Sequence, residues 1–203
     1  MRSRPATGSD LADVTATLTA AFAGDPLWRW AFDDLADLEV LWRFLIGSAL
    51  RYPWVRVRPA ASGGVCPEGF EAAALWIPPG GTELADDEEA ELPGLLQRLI
   101  GGRADDVLEL LNRFESAHPR ERPHYYLSLL GTAPAHRGKG LGMALLAENL
   151  ALIDAEGMPS YLESSNPVNN ERYEGVGYVQ VGEFTTPDDA HVVATMWREP
   201  RIG

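Results

Sequence analysis

A glycine-rich, basic turn carries the residues of this sequence that are best suited to binding an anion. It runs from Arg137 to Gly142, has glycines at 138, 140 and 142, and contains Lys139, the only lysine of the chain. Glycines let a backbone approach a ligand closely, and the free N–H groups at the start of a helix attract negative charge. In a chain of net charge −13, this local positive charge indicates a site for a phosphate-like group.

The turn lies between a predicted strand and a predicted helix. Residues 125–130 are short, aromatic and apolar, which is typical of a buried strand. After the turn, Leu146, Leu150 and Ile153 follow helical spacing, and Gly157 can end that helix. A strand, a glycine-rich turn and a helix start together predict an anion site formed by backbone N–H groups.

Two common phosphate-binding motifs do not fit this turn. A nucleotide-hydrolase loop needs Ser or Thr directly after Gly-Lys to hold magnesium, and Gly140 stands there. The dinucleotide fingerprint Gly-x-Gly-x-x-Gly fails in both registers, because Met143 or Leu145 stands where the third glycine is required. The pattern that remains is Arg-x-x-Gly-x-Gly, formed by Arg137, Gly140 and Gly142.

Composition narrows the class of protein. With 203 residues, 45% of them hydrophobic, and no linker or repeat, the chain is expected to form a single domain over residues 1–203. No apolar run approaches the ~20 residues of a membrane helix, and no apolar signal core follows Met1-Arg2-Ser3-Arg4, so we expect a cytoplasmic protein with no membrane partner. The net negative charge argues against a nucleic-acid partner. Cys66, the only cysteine, is expected to be a bystander in a turn.

The remaining pattern predicts an alternation of helices and strands in the order β-α-α-β-β-α-α-β-α-β-α-β-β. Strands are expected at 4–7, 54–57, 71–77, 125–130, 160–165, 178–184 and 191–198. Helices are expected after Ser9 or Asp10 and over 37–50, 90–101, 103–117 and the segment after the turn, with a further short one around 166–175. Residues 27–32 form an aromatic loop or short helix, 62–69 a turn, and the acidic run 83–91 a solvated helix face.

This order and the turn resemble the GNAT superfamily of N-acetyltransferases, over nearly the whole chain. Arg137-x-x-Gly140-x-Gly142 is similar to the acetyl-coenzyme A motif of that family, and the puromycin N-acetyltransferase-like branch is the most similar. Other segments that carry the resemblance are Ala20-Ala21-Phe22 with Asp25-Pro26, Ala74-Leu75-Trp76, His118-Pro119, Tyr161-Leu162-Glu163-Ser164-Ser165 and Asn169-x-x-x-Tyr173-Glu174-x-x-Gly177-Tyr178. The resemblance implies an α/β fold with a mixed, mostly antiparallel central sheet and helices on both faces.

The resemblance also implies acetyl-coenzyme A as the cofactor and no metal. In the family, backbone amides of the turn hold the pyrophosphate of the coenzyme, and the preceding strand runs along its pantetheine arm. The residues expected to bind the coenzyme are Leu129, Leu130, Gly131, Thr132, Arg137, Gly138, Lys139, Gly140, Leu141, Gly142, Met143, Asn166, Asn169 and Tyr173.

Acetyl transfer to an amine requires a polarised carbonyl and a proton for the leaving thiolate. The N–H of Leu130 or Gly131 is the candidate for the carbonyl. Tyr173 matches the tyrosine of the family and is the candidate acid, because a phenol with a pKa of about 10 stays protonated at neutral pH; the alternative is a packing residue. Asn169 lies one helical turn from Tyr173 and can face the same cleft. Asn166 can serve that cleft or only initiate a turn.

The general base is left open by the sequence. Glu163 lies on a predicted strand, where a half-buried carboxylate can have a raised pKa, but strand alternation leaves its direction undecided. His118, His124, Tyr125 and a chain of water molecules are alternatives, and a free amine of modest pKa needs no dedicated base.

The acceptor is expected to be a small molecule with a primary amine. Aromatic walls with a few carboxylates suit a planar or amphipathic amine, and the expected residues are Trp28, Trp30, Phe32, Trp76 and Tyr125, each of which can instead belong to the core. An amine of a protein or peptide is the alternative acceptor, and a catalytically silent coenzyme A sensor is the alternative function. The sequence is consistent with a monomer or a homodimer.

Overall fold

The computed structural model describes residues 2–60 and 69–201 of the chain. Their helices are α1 (Leu11–Phe22), α2 (Pro26–Ala31), α3 (Leu35–Ala49), α4 (Asp86–Ile100), α5 (Ala104–Ala117), α6 (Leu141–Ala155) and α7 (Asn170–Gly175). Their strands are β1 (Arg4–Pro5), β2 (Val55–Arg58), β3 (Ala72–Ile77), β4 (Tyr125–Thr132), β5 (Ser160–Ser164), β6 (Val179–Thr185) and β7 (Val192–Arg198). Cys66 and nearly all of the predicted 62–69 turn lie outside the described residues. Within those residues, no helix has both the length and the apolarity that crossing a bilayer requires.

The strands form one mixed sheet in the order β1-β2-β3-β4-β5-β7-β6. Only β4 and β5 run parallel, and the other neighbours are antiparallel. The predicted order of elements and the mixed, mostly antiparallel sheet are therefore confirmed. The aromatic segment 27–32 is mostly helical, as α2.

Two hydrophobic cores cover the two faces of the sheet. The core under α1 to α5 includes Leu18, Trp42 and Leu129, and the core under α6 includes Trp76 and Leu146. Strand β3 is buried along its whole length because both of its faces are covered.

The acidic run 83–91 has two separate roles in the structure. Asp86 to Glu89 occupy the first turn of α4, where negative charge is favourable at the positive end of the helix dipole. Glu83 departs from the predicted solvated face: its carboxylate is buried, accepts a hydrogen bond from the hydroxyl of Ser128, and burial raises its pKa. A charge run in a sequence does not reveal that one member folds back onto the sheet.

A bulge in β4 opens the sheet beside this carboxylate. Leu75 is opposite Leu129 and Trp76 is opposite Leu127, which leaves Ser128 as the extra residue of β4. Pairing between β4 and β5 covers only residues 125–127 and 160–162. Beyond these residues the two strands separate, and the gap between them forms the cleft described below.

Helix α1 packs directly on β4 at Gly131. A Cβ atom at this position would lie 2.6 Å from Cβ of Ala21 and 2.9 Å from Cδ2 of Leu18. We therefore expect Gly131→Ala to displace α1 and to lower the free energy of unfolding by about 1–3 kcal/mol, as overpacking does, measured by urea denaturation.

Gly47→Ala is the matched control. Gly47 is exposed in α3, and nothing lies within 4 Å of the added Cβ. Because alanine is the better helix former by about 0.5–1 kcal/mol, this variant is expected to be more stable than the wild type. Equal stability of Gly131→Ala and the wild type would contradict the close packing of α1 on β4.

Candidate active site

The glycine-rich turn aims the first amides of α6 at the cleft. Gly138 and Gly140 have φ of +75° and +70°, in the left-handed region that glycine adopts most readily. Gly140 directly precedes α6, whose first N–H groups have no partner within the helix. The Cβ of any other residue at 142 would lie 2.5 Å from Oγ1 of Thr132, so α6 begins in direct contact with the end of β4.

A cavity of about 570 Å³, which we call the outer cavity, lies between this turn, the end of β4 and α7. Twelve of the residues predicted to bind the coenzyme line it: Leu130, Gly131, Thr132, Arg137, Gly138, Gly140, Leu141, Gly142, Met143, Asn166, Asn169 and Tyr173. The spacing of Asn169 and Tyr173 does place both side chains on the same cleft.

Two of the predicted coenzyme residues do not line this cavity. Leu129 is buried on the opposite face of the sheet, in the core under α1 to α5. The bulge at Ser128 changes the register, so that Leu130 instead of Leu129 faces the cavity side. Lys139 is exposed and donates to the carbonyl of Ala135 at 3.3 Å. Arg137 lines the cavity and also holds the end of α1, by donating to the carbonyl of Ala21 at 2.6 Å.

The backbone N–H groups of Leu130 and Gly131 point to opposite sides of β4. The N–H of Ala133 donates to the backbone carbonyl oxygen of Glu71 at 3.0 Å, on the side of β3. Since successive N–H groups of a strand point to opposite sides, the N–H of Gly131 also points towards β3, and that of Leu130 points towards β5. At this level β5 has already separated from β4, so the N–H of Leu130 faces the cleft.

A second, smaller cavity of about 50 Å³, which we call the inner cavity, continues the cleft between β4 and β5. Five residues line both cavities: Phe22, Asp25, Leu130, Asn169 and Tyr173. The inner cavity is further lined by Trp28, Phe114, Leu127, Ser128, Leu162, Glu163, Ser164 and Ser165. The two cavities therefore meet at Tyr173.

Tyr173 lies at this junction with its proton firmly bound. Burial, reinforced by the nearby carboxylate of Asp25, raises the pKa of Tyr173 to about 12. The phenol is therefore protonated throughout the neutral range and can act as a proton donor.

Glu163 faces the inner cavity, which decides the direction that strand alternation left open. Both of its carboxylate oxygens are buried, and within the described residues neither accepts a well-formed hydrogen bond. Burial raises its pKa to about 8, although the neighbouring phenols of Tyr161 and Tyr126 favour the charged form. A carboxylate that titrates near neutral pH is suited to accept a proton.

The other candidate bases lie away from both cavities. His118 and His124 face each other, with 3.0 Å between their Nε2 atoms. Burial and the adjacent His124 lower the pKa of His118 to about 4. Tyr125 donates to Glu156 at 2.7 Å, and burial raises its pKa. None of the three lines either cavity.

Of the five predicted acceptor residues, only Trp28 lines either of these two cavities, the inner one, and it is also buried in the core under α1 to α5. Phe32 is buried in the core under α1 to α5. Trp30 is half-buried, and its indole N–H donates to Asp188 at 2.8 Å. Trp76 and Tyr125 lie in the core under α6, where Trp76 donates to Asn149 at 2.9 Å. Sequence cannot separate an aromatic wall from an aromatic core, because both need the same residue types.

The sequence reasoning did not assign a role to several residues of the cleft. Asp25, Phe22 and Phe114 line the inner cavity, and His136 lines the outer one. Asp25 carried a signal, since Asp before Pro marks a helix start, but that signal does not show that the carboxylate also faces the cleft.

The residues of the outer cavity fit an extended anionic coenzyme. Arg137, Arg172 and the start of α6 line a cavity of about 570 Å³, and Tyr173 lines the same cavity. Among the described residues, no group of three or more His, Cys, Asp or Glu side chains is placed to hold a metal ion.

Part of the chain matches a known family model, and the fold matches that of solved structures. Residues 95–178 match the model of the acetyltransferase (GNAT) family, a segment that contains the turn, Glu163 and Tyr173. The mixed sheet with helices on both faces is that of the GNAT acetyltransferases, so the chain has the GNAT fold.

One relative has a similar sequence over part of its length. An uncharacterized N-acetyltransferase of Schizosaccharomyces pombe is 32% identical over 143 residues, covering 64% of this chain and 57% of the relative. The chain thus spans little more than half of that relative's length.

Solved structures resemble the chain over nearly its full length. Histone acetyltransferase HPA2 and related acetyltransferase of Corynebacterium glutamicum has a TM-score of 0.71 at 23% identity, covering 100% of this chain and 97% of that one. Arylalkylamine N-acetyltransferase 2 of Aedes aegypti has a TM-score of 0.71 at 15% identity, covering 98% and 99%. The polyamine N-acetyltransferase of Drosophila melanogaster has a TM-score of 0.65 at 17% identity, covering 97% and 98%. At these identities the likeness concerns the fold.

A charge at position 140 should separate electrostatic from steric effects on coenzyme binding. Asn and Asp both tolerate a positive φ and differ only in charge, and the space beside Gly140 is open. We expect Gly140→Asp to weaken acetyl-coenzyme A binding at least about tenfold more than Gly140→Asn, measured by calorimetry. The gap should narrow at high salt, which screens exposed charges. Equal affinities of the two variants would place the anionic groups of the ligand elsewhere.

The buried carboxylate of Glu163 should make stability depend on pH. Because its pKa is raised to about 8 in the folded state, the folded protein binds this proton more tightly than the unfolded chain. The contribution of Glu163 to stability is therefore fully present below its pKa in the unfolded chain. This contribution is lost as the pH rises through 8. Glu163→Gln mimics the protonated form and is expected to raise the Tm at pH 9, where the wild type must bury an ionised carboxylate. The rise should be about 2–4 °C for each kcal/mol by which that burial destabilises the wild type.

At pH 5 the Tm values of Glu163→Gln and the wild type are expected to be close. Glu91→Gln is the control, since Glu91 is exposed on α4, and it should leave the Tm near that of the wild type at both pH values. A Tm difference for Glu163→Gln that is the same at pH 5 and pH 9 would contradict the raised pKa.

Proposed function

We propose that the protein is an acetyl-coenzyme A-dependent N-acetyltransferase that acts on the primary amine of a small molecule. The observation that carries the proposal is the junction of the two cavities at Tyr173. A glycine-rich, basic turn lies on one side of this junction, and the buried carboxylate of Glu163 lies on the other. These are the parts that transfer of an acetyl group from an anionic carrier to an amine requires.

The outer cavity is the proposed coenzyme site. The amides at the start of α6 and the side chain of Arg137 are suited to phosphate oxygens, and β4 lines the way inward. When bound, acetyl-coenzyme A supplies an acetyl group activated as a thioester.

Leu130 and Tyr173 then act at the inner end of this site. The N–H of Leu130 can donate to an acyl oxygen placed where β4 ends, and this stabilises negative charge on that oxygen. Tyr173 holds a proton on its phenol oxygen, which it can give to a leaving sulfur.

Glu163 is the proposed base on the acceptor side. In its ionised form the carboxylate can take one proton from an ammonium group, which leaves the neutral amine that attack on a carbonyl requires.

The size of the inner cavity supports a slender acceptor. About 50 Å³ is room for only a few non-hydrogen atoms, such as the end of an alkylamine. Structural neighbours named for arylalkylamines, polyamines and agmatine are consistent with a small amine, and the sequence likeness to the puromycin-like branch points the same way. A lysine side chain of a peptide has a similar end, so peptides belong among the acceptors to be tested.

A thiol-release assay tests the proposal. Acetyl-coenzyme A is offered together with alkylamines, polyamines, arylalkylamines, puromycin and lysine-containing peptides. Thiol release with small amines supports the proposal, and release only with peptides would move the acceptor to that class. Binding of the coenzyme without release for any acceptor would favour the silent sensor.

Tyr173→Phe tests the acid. Phenylalanine keeps the ring, and with it most of the packing, but has no proton to donate. Loss of an acid that acts in the transition state costs ~10²–10⁴-fold in rate, so kcat should fall by that factor. Affinity for acetyl-coenzyme A, measured by calorimetry, and the Tm should stay near the wild-type values.

The pH profile provides the second readout of the same variant. An acid loses activity as pH rises towards its pKa, here about 12, so the acidic side of the profile should keep its shape in Tyr173→Phe. A variant with undiminished kcat would make Tyr173 a packing residue.

A further inference from the structure

Asp25 is a buried carboxylate at the junction of the two cavities. It lies between α1 and α2, is only 8% exposed, and lines both the outer and the inner cavity. Its charge also acts on the phenol of Tyr173. The carboxylate is therefore close to the point at which an acceptor amine would meet the acyl group.

Three hydrogen-bond donors of the local structure favour the charged form of this carboxylate. Oδ1 accepts hydrogen bonds from the N–H groups of Leu27 at 3.0 Å and Trp28 at 3.3 Å. Oδ2 accepts one from the hydroxyl of Ser165 at 2.8 Å. Burial raises the pKa of Asp25, but these three donors oppose that rise because they favour the ionised carboxylate.

One acceptor position of the carboxylate is left over. A carboxylate can accept about four hydrogen bonds, and capping of α2 uses only Oδ1. Oδ2 has a single described donor, Ser165, and so keeps capacity for one more. A cap alone needs only one oxygen, as an asparagine supplies.

Charge is divided along the cleft. The lining of the outer cavity includes Arg137, Arg172 and His136 beside Asp25. Among the described residues, the lining of the inner cavity includes Asp25 and a second carboxylate, Glu163, but no lysine or arginine. Anionic groups are thus favoured at the outer end and cations at the inner end.

The junction also offers an aromatic ring to a cation. Phe22 lines both cavities and packs edge-on against Trp42, with 5.5 Å between ring centroids. A carboxylate beside an aromatic ring is a recognised arrangement for an ammonium group, because both attract positive charge. Glu163 lies deeper in the cleft and adds an attraction for a cation only in its ionised form.

We propose that Asp25 binds the ammonium group of the acceptor and makes the site specific for slender alkylamines that are cationic at neutral pH. This inference rests on the proposed function. The two carboxylates then have different tasks: Asp25 keeps its charge and holds the cation, and Glu163 takes one proton from it to leave the neutral amine.

Asp25→Asn removes the charge and keeps the cap. Its amide oxygen can still accept from Leu27 and Trp28, and its NH₂ group can donate to the oxygen of Ser165. The probes are propylamine, a cation at pH 7.5, and methoxyamine, which is of similar size but neutral at that pH. The measured quantity is the ratio of kcat/KM for propylamine to kcat/KM for methoxyamine.

We expect this ratio to fall about 10- to 100-fold in Asp25→Asn, the value of one hydrogen-bonded charge, mainly through a higher KM for propylamine. Ser165→Ala is the matched control, because it deletes a hydrogen bond to the same carboxylate but leaves the charge, and it should keep the ratio near that of the wild type. Asp25→Ser, which also caps a helix without charge, replaces Asp25→Asn if that variant does not fold.

Two results would overturn the inference. An unchanged ratio, with kcat/KM lowered equally for both probes, would make Asp25 a structural cap only. An equal fall of the ratio in Ser165→Ala would assign the effect to position and not to charge. Failure of the wild type to release thiol with any amine would instead overturn the proposed function, and the inference with it.

Discussion

The separation of β4 from β5 is the constraint on which the rest of the site depends. Two parallel strands that stayed paired would satisfy each other's N–H and C=O groups and leave no space between them. Here pairing ends at Leu127, next to the bulge at Ser128. The backbone beyond it keeps its bonds to β3 on one side and exposes the N–H of Leu130 on the other. The cleft, its donor and its two cavities all follow from this one interruption.

The two ends of the cleft differ in the charge that they attract. Backbone N–H groups contribute to this difference as well as charged side chains. Helix α6 contributes the positive end through its first amides, held against β4 by the contact of Gly142 with Thr132. The other end combines two carboxylates, Asp25 and Glu163. Burial raises the pKa of both, and three well-formed hydrogen bonds oppose this rise at Asp25.

Local signals in the sequence were sufficient for the turn and for the order of elements. Left-handed glycines, a basic residue and a helical stripe are adjacent in the chain, so Gly140, Arg137 and α6 could be predicted together. The residues on the acceptor side of the cleft could not be predicted, because they come from segments that are distant in the chain. Trp28 and Trp76 look alike in sequence, yet one lines the cleft and the other fills the core under α6. The bulge that turns Leu129 away from the cavity has no sequence signature of its own. In the sequence, Asp25 before Pro26 indicates only a helix cap.

The most direct test of this account is a crystal structure of the protein with coenzyme A. The account predicts the pyrophosphate on the amides of residues 141–143, the pantetheine arm along β4, and the sulfur within hydrogen-bond distance of the phenol of Tyr173. It would be contradicted by a coenzyme bound outside the outer cavity. It would also be contradicted by a sulfur that lies beyond hydrogen-bond distance of the phenol of Tyr173.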